Sequence, residues 1–429
     1  MNKPKIIAGI DVGSSKITTI IGSAGEEGVK VIGVASVPSR GMRKGQIVDI
    51  EEATAGVIES VEAAERMAGY SLNQVLVSVS GPHLASQNST GVVAVSEPEG
   101  EITPQDVERV TEAAKAISLP SSREIIHVIP RSFTVDGQGG IKDPVGMSGV
   151  RLEVETHIIT GSATAIRNLT KCISETGANI QGLVASGLAA AESVLTETEK
   201  ELGVVLVDIG GGVTNVVIFV EGAPFYTSVL PLGAKNVTND LAIGLRVSLE
   251  TAEKIKIALS EKEKKPILPS EKEGGVKEED EINLADLGID QEIKTVSKKT
   301  LIEGIIKPRL NEIFTMVGLE IKNSGAVGLT PAGVVICGGG AQTVGIVQAA
   351  KKTLSMPIRI GTPRGVTGLI DDIQTPDFAV VTGLLLYGAR VEGGPSVPFS
   401  FKQIGKKLPK IPVGGLVNKF WELLKSFLP

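Results

Sequence analysis

Two stretches of this chain share one design, and that repetition constrains the fold more than any other feature. Ile7-Ala8-Gly9-Ile10-Asp11-Val12-Gly13-Ser14-Ser15 corresponds to Val205-Leu206-Val207-Asp208-Ile209-Gly210-Gly211-Gly212. Each is an apolar run ending in an aspartate, then a glycine-rich turn, then a second apolar run, at residues 16–21 and 215–219. An internal repeat of this kind means two related halves. Strand and helix patterns alternate around both, so the chain reads as an α/β fold built twice.

A strand that ends in Asp and runs into glycines suits a phosphate. The turn exposes backbone N–H groups, glycine lets the main chain approach closely, and the small hydroxyls of Ser14, Ser15 and Thr214 add donors. The strand-end carboxylates of Asp11 and Asp208 suit Mg2+ held through water, because that ion keeps several waters and rides on one or two carboxylates plus phosphates. One such turn describes an ordinary hairpin. Two at corresponding places predict a nucleotide site whose phosphate chain is gripped from both halves. A third apolar run, Val334-Val335-Ile336-Cys337, meets Gly338, Gly339 and Gly340, and predicts a strand–turn–helix join with the helix opening at Gln342. Cys337 lies inside the run and reads as a small buried residue. Glu253 and Lys256 stand three apart on a helix expected from about residue 248, on one face, where their polar groups either reach a ribose or pair with each other as an exposed ion pair.

The remaining segments arrange around this. Apolar runs at 6–10, 17–21 and 30–37, joined by Gly/Ser turns, read as a β-meander. Residues 50–68 read as a helix, with Ala53, Val57, Ile58, Val61, Ala64 and Ala68 on one stripe. Between 84 and 162 the texture changes. A strand at 91–95, a helix at 103–117 with Pro104 in its first turn, and strands at 124–129 and 150–159 make a small α+β unit. Both flanks resume the larger pattern, so the unit reads as an insertion. A helix at 163–176, a strand at 180–185 and a helix at 188–196 follow. Residues 261–299 are dense in Glu, Lys and Asp and read as a solvated, partly disordered surface insertion.

Composition narrows the function. A net charge of −6 argues against a general nucleic-acid binder. Two cysteines, Cys172 and Cys337, cannot form a disulfide framework or a four-ligand zinc site, and three histidines (His83, His127, His157) argue against a transition-metal centre. The apolar segment near the N-terminus is broken by Asp11 and has the wrong shape for a signal peptide. No run reaches the roughly 18–20 apolar residues of a membrane span, so the chain is expected in the cytosol. Its end, however, is built for a lipid surface. Leu416, Val417, Phe420, Trp421, Leu423, Leu424, Phe427 and Leu428 recur at helical spacing, with Asn418, Lys419, Glu422, Lys425 and Ser426 opposite. Over residues 402–425 six lysines against Glu422 leave a net +5 in an acidic protein. A wide apolar face with aromatics and flanking lysines describes an in-plane helix on an anionic membrane, each Lys contributing about 1 kcal/mol. Residues 391–414 ahead of it form a linker of roughly 25–30 Å span.

The motifs Asp11-Val12-Gly13-Ser14-Ser15-Lys16, Asp208-Ile209-Gly210-Gly211-Gly212 and Cys337-Gly338-Gly339-Gly340 resemble the phosphate-1, phosphate-2 and adenosine motifs of the actin/Hsp70/sugar-kinase superfamily. Within it the chain is similar to the FtsA family of bacterial cell-division proteins. The segments Arg40-Gly41-Met42-Arg43-Lys44-Gly45-Gln46-Ile47-Val48-Asp49, Val79-Ser80-Gly81 and His127-Val128-Ile129-Pro130, and the small extra domain, carry that likeness. The resemblance implies an actin-like, two-lobed duplicated ATPase fold with an inserted α+β subdomain and a C-terminal amphipathic helix. It implies ATP and Mg2+ in the cleft, Lys16 joining the phosphate contacts, head-to-tail self-association, and attachment of the tubulin-like FtsZ polymer to the cytoplasmic face of the membrane at the division site, with other division proteins as later partners. By the family's order, residues 1–83 with parts of 163–190 and 360–390 form the first core subdomain and 84–162 the insertion. Residues 191–240 with 320–359 form the second core subdomain, and 241–319 the smaller one that receives FtsZ's C-terminal peptide. Residues 391–414 are then the linker and 415–429 the membrane helix. Arg309 is the candidate contact for that acidic peptide.

Two departures bear on activity. Gly212-Val213-Thr214-Asn215 stands where the superfamily usually has Gly-Thr-Thr-Asp, and Ala185-Ser186-Gly187-Leu188 stands where relatives often carry Glu-Pro. An acid near the latter place orients the attacking water in hydrolytic members, so slow or absent hydrolysis is expected. A pilus-assembly scaffold of the PilM type is the alternative, and a small-molecule kinase of the same fold a weaker one, since no further catalytic Asp is identifiable.

Overall fold

The computed structural model describes residues 5–96, 100–264, 281–283, 295–369, 371 and 373–393. The stretches 265–280 and 284–294 of the charged insertion, and residues 394–429 with most of the expected linker and the whole membrane helix, lie outside the described residues.

β1 (Lys5–Val12), β2 (Lys16–Gly25) and β3 (Gly28–Pro38) form the expected antiparallel meander, with Asp11 opposite Thr18. A short ribbon of β4 (Met42–Arg43) and β5 (Gln46–Ile47) leads into α1 (Ile50–Ala68). That helix starts where Asp49 accepts the N–H groups of Glu51 and Glu52, and it stops at Gly69, whose φ of 63° favours glycine. Ala53, Val57, Val61 and Ala64 are its buried stripe, while Ile58 and Ala68 are half-buried. β6 (Gln74–Val79) then pairs parallel with β1.

The insertion follows as β7 (Ala85–Ala94), α2 (Pro104–Ala114), β8 (Arg123–Val135), β9 (Gln138–Ile141) and β10 (Arg151–Ser162), in a sheet ordered β7-β10-β8-β9. β7 begins earlier than the apolar signal at 91–95, because Ser86, Gln87 and Asn88 are polar strand residues. β8 runs past residue 129 through Pro130, which has no N–H to donate. The register skips Arg131 between Glu155 and Thr156, a bulge that absorbs the gap. α3 (Ala163–Ser174), β11 (Asn179–Ala185) and α4 (Ser186–Val194) return the chain to the first lobe.

The second half begins at α5 (Glu197–Leu202) and continues through β12 (Val204–Ile209), β13 (Thr214–Val220), the unanticipated β14 (Ala223–Leu230), α6 (Ala234–Leu245) and α7 (Leu249–Lys264). A ribbon of β15 (Glu281–Asn283) and β16 (Thr295–Ser297) precedes α8 (Lys298–Leu301), and a π-helical turn over Ile302–Ile306 joins α8 to α9 (Lys307–Asn323). After β17 (Val334–Cys337) the chain makes a 3-10 turn over Gly339–Gln342, and α10 (Ile346–Leu354) starts only after it. The helix expected at Gln342 therefore opens four residues later, because Gly345 at φ 77° interrupts the helical path. β18 (Ile358–Ile360), β19 (Val366–Gly368), a 3-10 turn over Pro376–Phe378 and α11 (Ala379–Gly393) complete the described chain.

The duplication is literal in the topology. The first sheet is ordered β11-β6-β1-β2-β3 with β19 added at its edge, and the second β18-β17-β12-β13-β14. In both, the aspartate-ended strand sits in the middle, antiparallel to the next strand and parallel to the one that follows a crossover. β12 shows why its sequence is continuously apolar. Val204 and Leu206 face a core that also contains the first sheet, α4 and α11, whereas Val205, Val207 and Ile209 face a second core under α6, α7, α9 and α10. A strand buried on both faces has no polar side. The insertion carries a small third core around Ile102, Val110, Phe133 and Leu152.

Candidate functional site

The two aspartate turns close on one cavity of about 420 Å³, a volume suited to a small-molecule ligand. Each turn is tied by the same bond: the Gly13 N–H donates to the Lys16 carbonyl at 3.1 Å, and the Gly210 N–H to that of Val213 at 2.9 Å. The turns also touch. A Cβ added to Gly211 would lie 2.8 Å from Ser15 Cβ, and one on Gly212 would lie 2.8 Å from Ser14 Oγ, so only glycine lets the second turn lie on the first. Ser14 Oγ accepts the Gly45 N–H at 2.8 Å, and Lys235, at the start of α6, crosses the cleft to donate to the Ser14 carbonyl at 2.7 Å.

Asp11 and Asp208 both line the cavity. Burial pushes both carboxyls up; Asp208 reaches about 7, helped by the charge of Asp11 and opposed by a hydrogen bond from Asn215. That bond, Asn215 Nδ2 to Asp208 Oδ2, is 2.8 Å long, and Asn215 Oδ1 accepts from Ser80 Oγ at 2.7 Å. Asp11 accepts from Ser78 Oγ. Neither carboxylate has an ion-pair partner within 4.0 Å among the described residues; the charge of Lys16 draws the Asp11 carboxyl back down, but Asp208, raised by burial and by Asp11, has no such opposing charge and suits a cation. Among the described residues no three acids, histidines or cysteines gather to hold a metal. The donor set therefore fits a hard cation that takes most of its ligands from water and phosphate.

The third glycine motif closes the cavity behind Asp208. Gly338 has φ 80°, and a Cβ there would lie 2.4 Å from Asp208 Oδ1; one on Gly340 would lie 2.3 Å from Ile209 Cγ2. Gly339 lines the cavity beside them, and Cys337 is buried, its thiol pushed well up by burial. Glu253 and Lys256 also line it, paired with each other at 2.8 Å and with Thr238, whose hydroxyl lies 3.0 Å from Lys256 Nζ.

Two expected residues are elsewhere. Thr214 does not line the cavity: its hydroxyl is buried and donates to the Leu232 carbonyl at 2.9 Å. Arg309 lies on α9, with Nε and Nη2 on Asp240 of α6 at 2.6 and 2.9 Å and Nη1 on Glu312, so its guanidinium is engaged within the protein. The membrane residues Leu416, Val417, Lys419, Phe420, Trp421, Leu424, Lys425, Phe427 and Leu428 lie outside the described residues. Sequence reasoning missed Lys235, Ser80, Ser186 and Asp377, all of which line the cavity. Ser80 had a signal, since it follows the strand β6 directly. Ser186, whose buried hydroxyl has no protein partner among the described residues, opens α4. Asp377 had none.

The family model described as "Cell division protein FtsA" matches residues 205–383, and that described as "SHS2 domain inserted in FTSA" matches residues 81–160. A cell division protein FtsA of Pseudomonas aeruginosa is 38% identical over 411 residues, covering 95% of this chain and 95% of its own. The Bacillus subtilis protein of that name is 36% identical, covering 96% and 88%, and that of Escherichia coli 35%, covering 90% and 90%. Among solved structures, the PilM–PilN type IV pilus biogenesis complex aligns with a TM-score of 0.61 at 17% identity, covering 89% of this chain and 98% of that one. MreB5 of Spiroplasma citri bound to ADP aligns with a TM-score of 0.52 at 14% identity, covering 91% and 99%. These two likenesses establish the actin-like fold.

Proposed function

The chain belongs to the FtsA family of bacterial cell-division proteins, and on that premise we propose that it binds ATP with Mg2+ between its lobes, self-associates on the cytoplasmic face of the membrane, and tethers the FtsZ polymer there. The observation that carries the nucleotide reading is the pair of identically bonded aspartate turns meeting at one cavity. Relatives of 35–38% identity over most of the chain favour cell division over a pilus scaffold, whose likeness is one of fold at 17% identity.

In this reading the N–H groups of Gly13, Ser14 and Ser15 and of Gly210, Gly211 and Gly212 grip the phosphates from two sides, and Lys16 adds charge. Gly338, Gly339 and Gly340 leave room for the adenosine, and Glu253 and Lys256 face its ribose. Asp11 and Asp208 hold Mg2+ through water; when bound, the ion neutralises phosphate charge. Asn215 keeps Asp208 oriented without adding a third acid. Among the described residues no free carboxylate stands at the start of α4, where Ser186 orients water but cannot take its proton at neutral pH, so hydrolysis is slow. Steady-state turnover of about 1 s⁻¹ or faster, ordinary for an enzyme, contradicts this. Residues 84–162 form the inserted subdomain and 241–319 the one that receives FtsZ's peptide. Arg309 enters that contact only by exchanging Asp240 for an acid of the peptide.

The C-terminal helix supplies the membrane attachment. Electron microscopy on a lipid monolayer, with and without ATP, tests the whole reading: filaments on anionic lipid are expected. A variant lacking residues 414–429 is expected to lose the lipid, to keep its ATP affinity and to retain FtsZ's C-terminal peptide in a pull-down. Unchanged lipid binding by that deletion refutes the tether.

A further inference from the structure

The 3-10 turn over Pro376–Phe378 puts Pro376 and Asp377 on the cavity wall and touches both lobes. Asp377 Oδ2 takes Lys16 Nζ at 2.5 Å, and Oδ1 takes Gln342 Nε2 at 2.9 Å. The Phe378 ring centroid lies 3.8 Å from the same ammonium. One residue earlier, the Pro376 carbonyl accepts the Gly338 N–H at 3.0 Å. Lys16 belongs to the first phosphate turn, Gln342 and Gly338 to the glycine motif of the second lobe. This segment thus fixes a cation from one lobe against a turn from the other, and α11 starts directly behind it.

A lysine is a point charge on a flexible stem, with three donors and no preferred direction of its own. Left to solvent it loses rotamer freedom only when ligand arrives, which weakens binding. Here the stem is already held by a carboxylate and an aromatic face, and Asp377 occupies one donor of three. We propose that Asp377 is a positioning residue for nucleotide, holding the Lys16 ammonium over the cavity while its second oxygen keeps Gln342 and the adenosine-side turn in place. The inference rests on the cavity being an ATP site. Protein kinases hold their phosphate-binding lysine with an acid in the same way. The opposite effect of such an acid, repulsion of the polyphosphate, makes the sign of the outcome decisive.

Calorimetric titration of MgATP into the full-length protein separates the two readings. Failure of the wild type to bind overturns the nucleotide site itself. Given wild-type binding, Asp377→Asn is expected to weaken MgATP about tenfold and Asp377→Glu, which keeps the carboxylate, less than about threefold. In a Lys16→Met background Asp377→Asn adds no further loss, as required of a residue that acts through Lys16. Phe378→Leu, which removes the ring and leaves the carboxylate, is expected to weaken binding about two- to threefold and gives the reading if Asp377→Asn folds poorly. Asp377→Asn binding as tightly as the wild type or more tightly, equal losses for Asn and Glu, a further tenfold loss in the Lys16→Met background, or an unaltered Phe378→Leu overturns the proposal.

Discussion

Asp208 and the buried histidines titrate in opposite senses, and the sign of each decides how the ligand-free protein responds to pH. Asp208 holds its proton up to about 7 in the fold, against 3.8 when unfolded, because burial and Asp11 disfavour its charge. The folded state therefore binds the extra proton across that interval, and the stability it contributes at acid pH is lost as pH rises to about 7. His157, in contact with Asn88 and Thr227, and His127, which accepts the Ala185 N–H, are held down to about 3 and about 4 by burial. They are neutral in the fold and charged in the unfolded chain below 6.5, so their contribution is lost as pH falls. Asp208→Asn, which is uncharged at every pH, is expected to melt higher than wild type at pH 8 without metal or nucleotide, by an amount on the order of a few kcal/mol, and the gap closes toward pH 5. Melting curves at the two pH values check it; equal stability at pH 8 refutes it. The turn that makes Asp208 special was legible because strand, acid and glycines are neighbours in sequence. Asp377 was not, because it lies 361 positions from Lys16 and carries no local pattern.

At the scale of elements, the layer between the two sheets is α4 against α11, and it depends on small residues. A Cβ on Gly383 would stand 1.7 Å from the Ala189 carbonyl oxygen and 2.4 Å from its carbon. Backbone approach of that kind leaves no rotamer to relieve the clash, so the helices must separate. Gly383→Ala is expected to cost at least about 2 kcal/mol and to weaken nucleotide binding, since α4 begins at Ser186 on the cavity wall. Chemical denaturation and MgATP titration check both; a variant as stable as wild type refutes the packing argument. The strands of the repeat and α1 were legible because each carries its own period. β9 and β14 were not, because their sequences alternate weakly and their identity comes from the strands beside them. The same holds for Gly383, which reads as an unfavourable residue in an apolar helix until its partner is known.

At the scale of the molecule, the cores determine which parts open together. The largest core runs from the first sheet through α4 and α11 onto the second, so the lobes share apolar burial and are not independent folding units. The insertion is divided. Its near end belongs to that core through Leu84, Ile126 and Ile159, and it is tied to β14 of the other lobe, with Ser86 Oγ donating to the Thr227 carbonyl at 2.7 Å and accepting the Thr227 N–H at 2.9 Å. Its far end has only the small core around Phe133, Val110 and Leu152. Local opening follows such boundaries, because a unit with few buried contacts separates at lower free energy than the whole. Phe133→Ala removes about 3–5 kcal/mol from a core that small, enough to open the far end while the near end stays clamped between the lobes. Hydrogen exchange is expected to quicken at amides within 102–114 and 133–154 and to stay unchanged at β12, β13 and the phosphate turns, with MgATP affinity within about twofold of wild type. Quickened exchange in both sheets, or loss of nucleotide binding, would mean instead that the insertion and the lobes unfold as one, and that the third core is a continuation of the first.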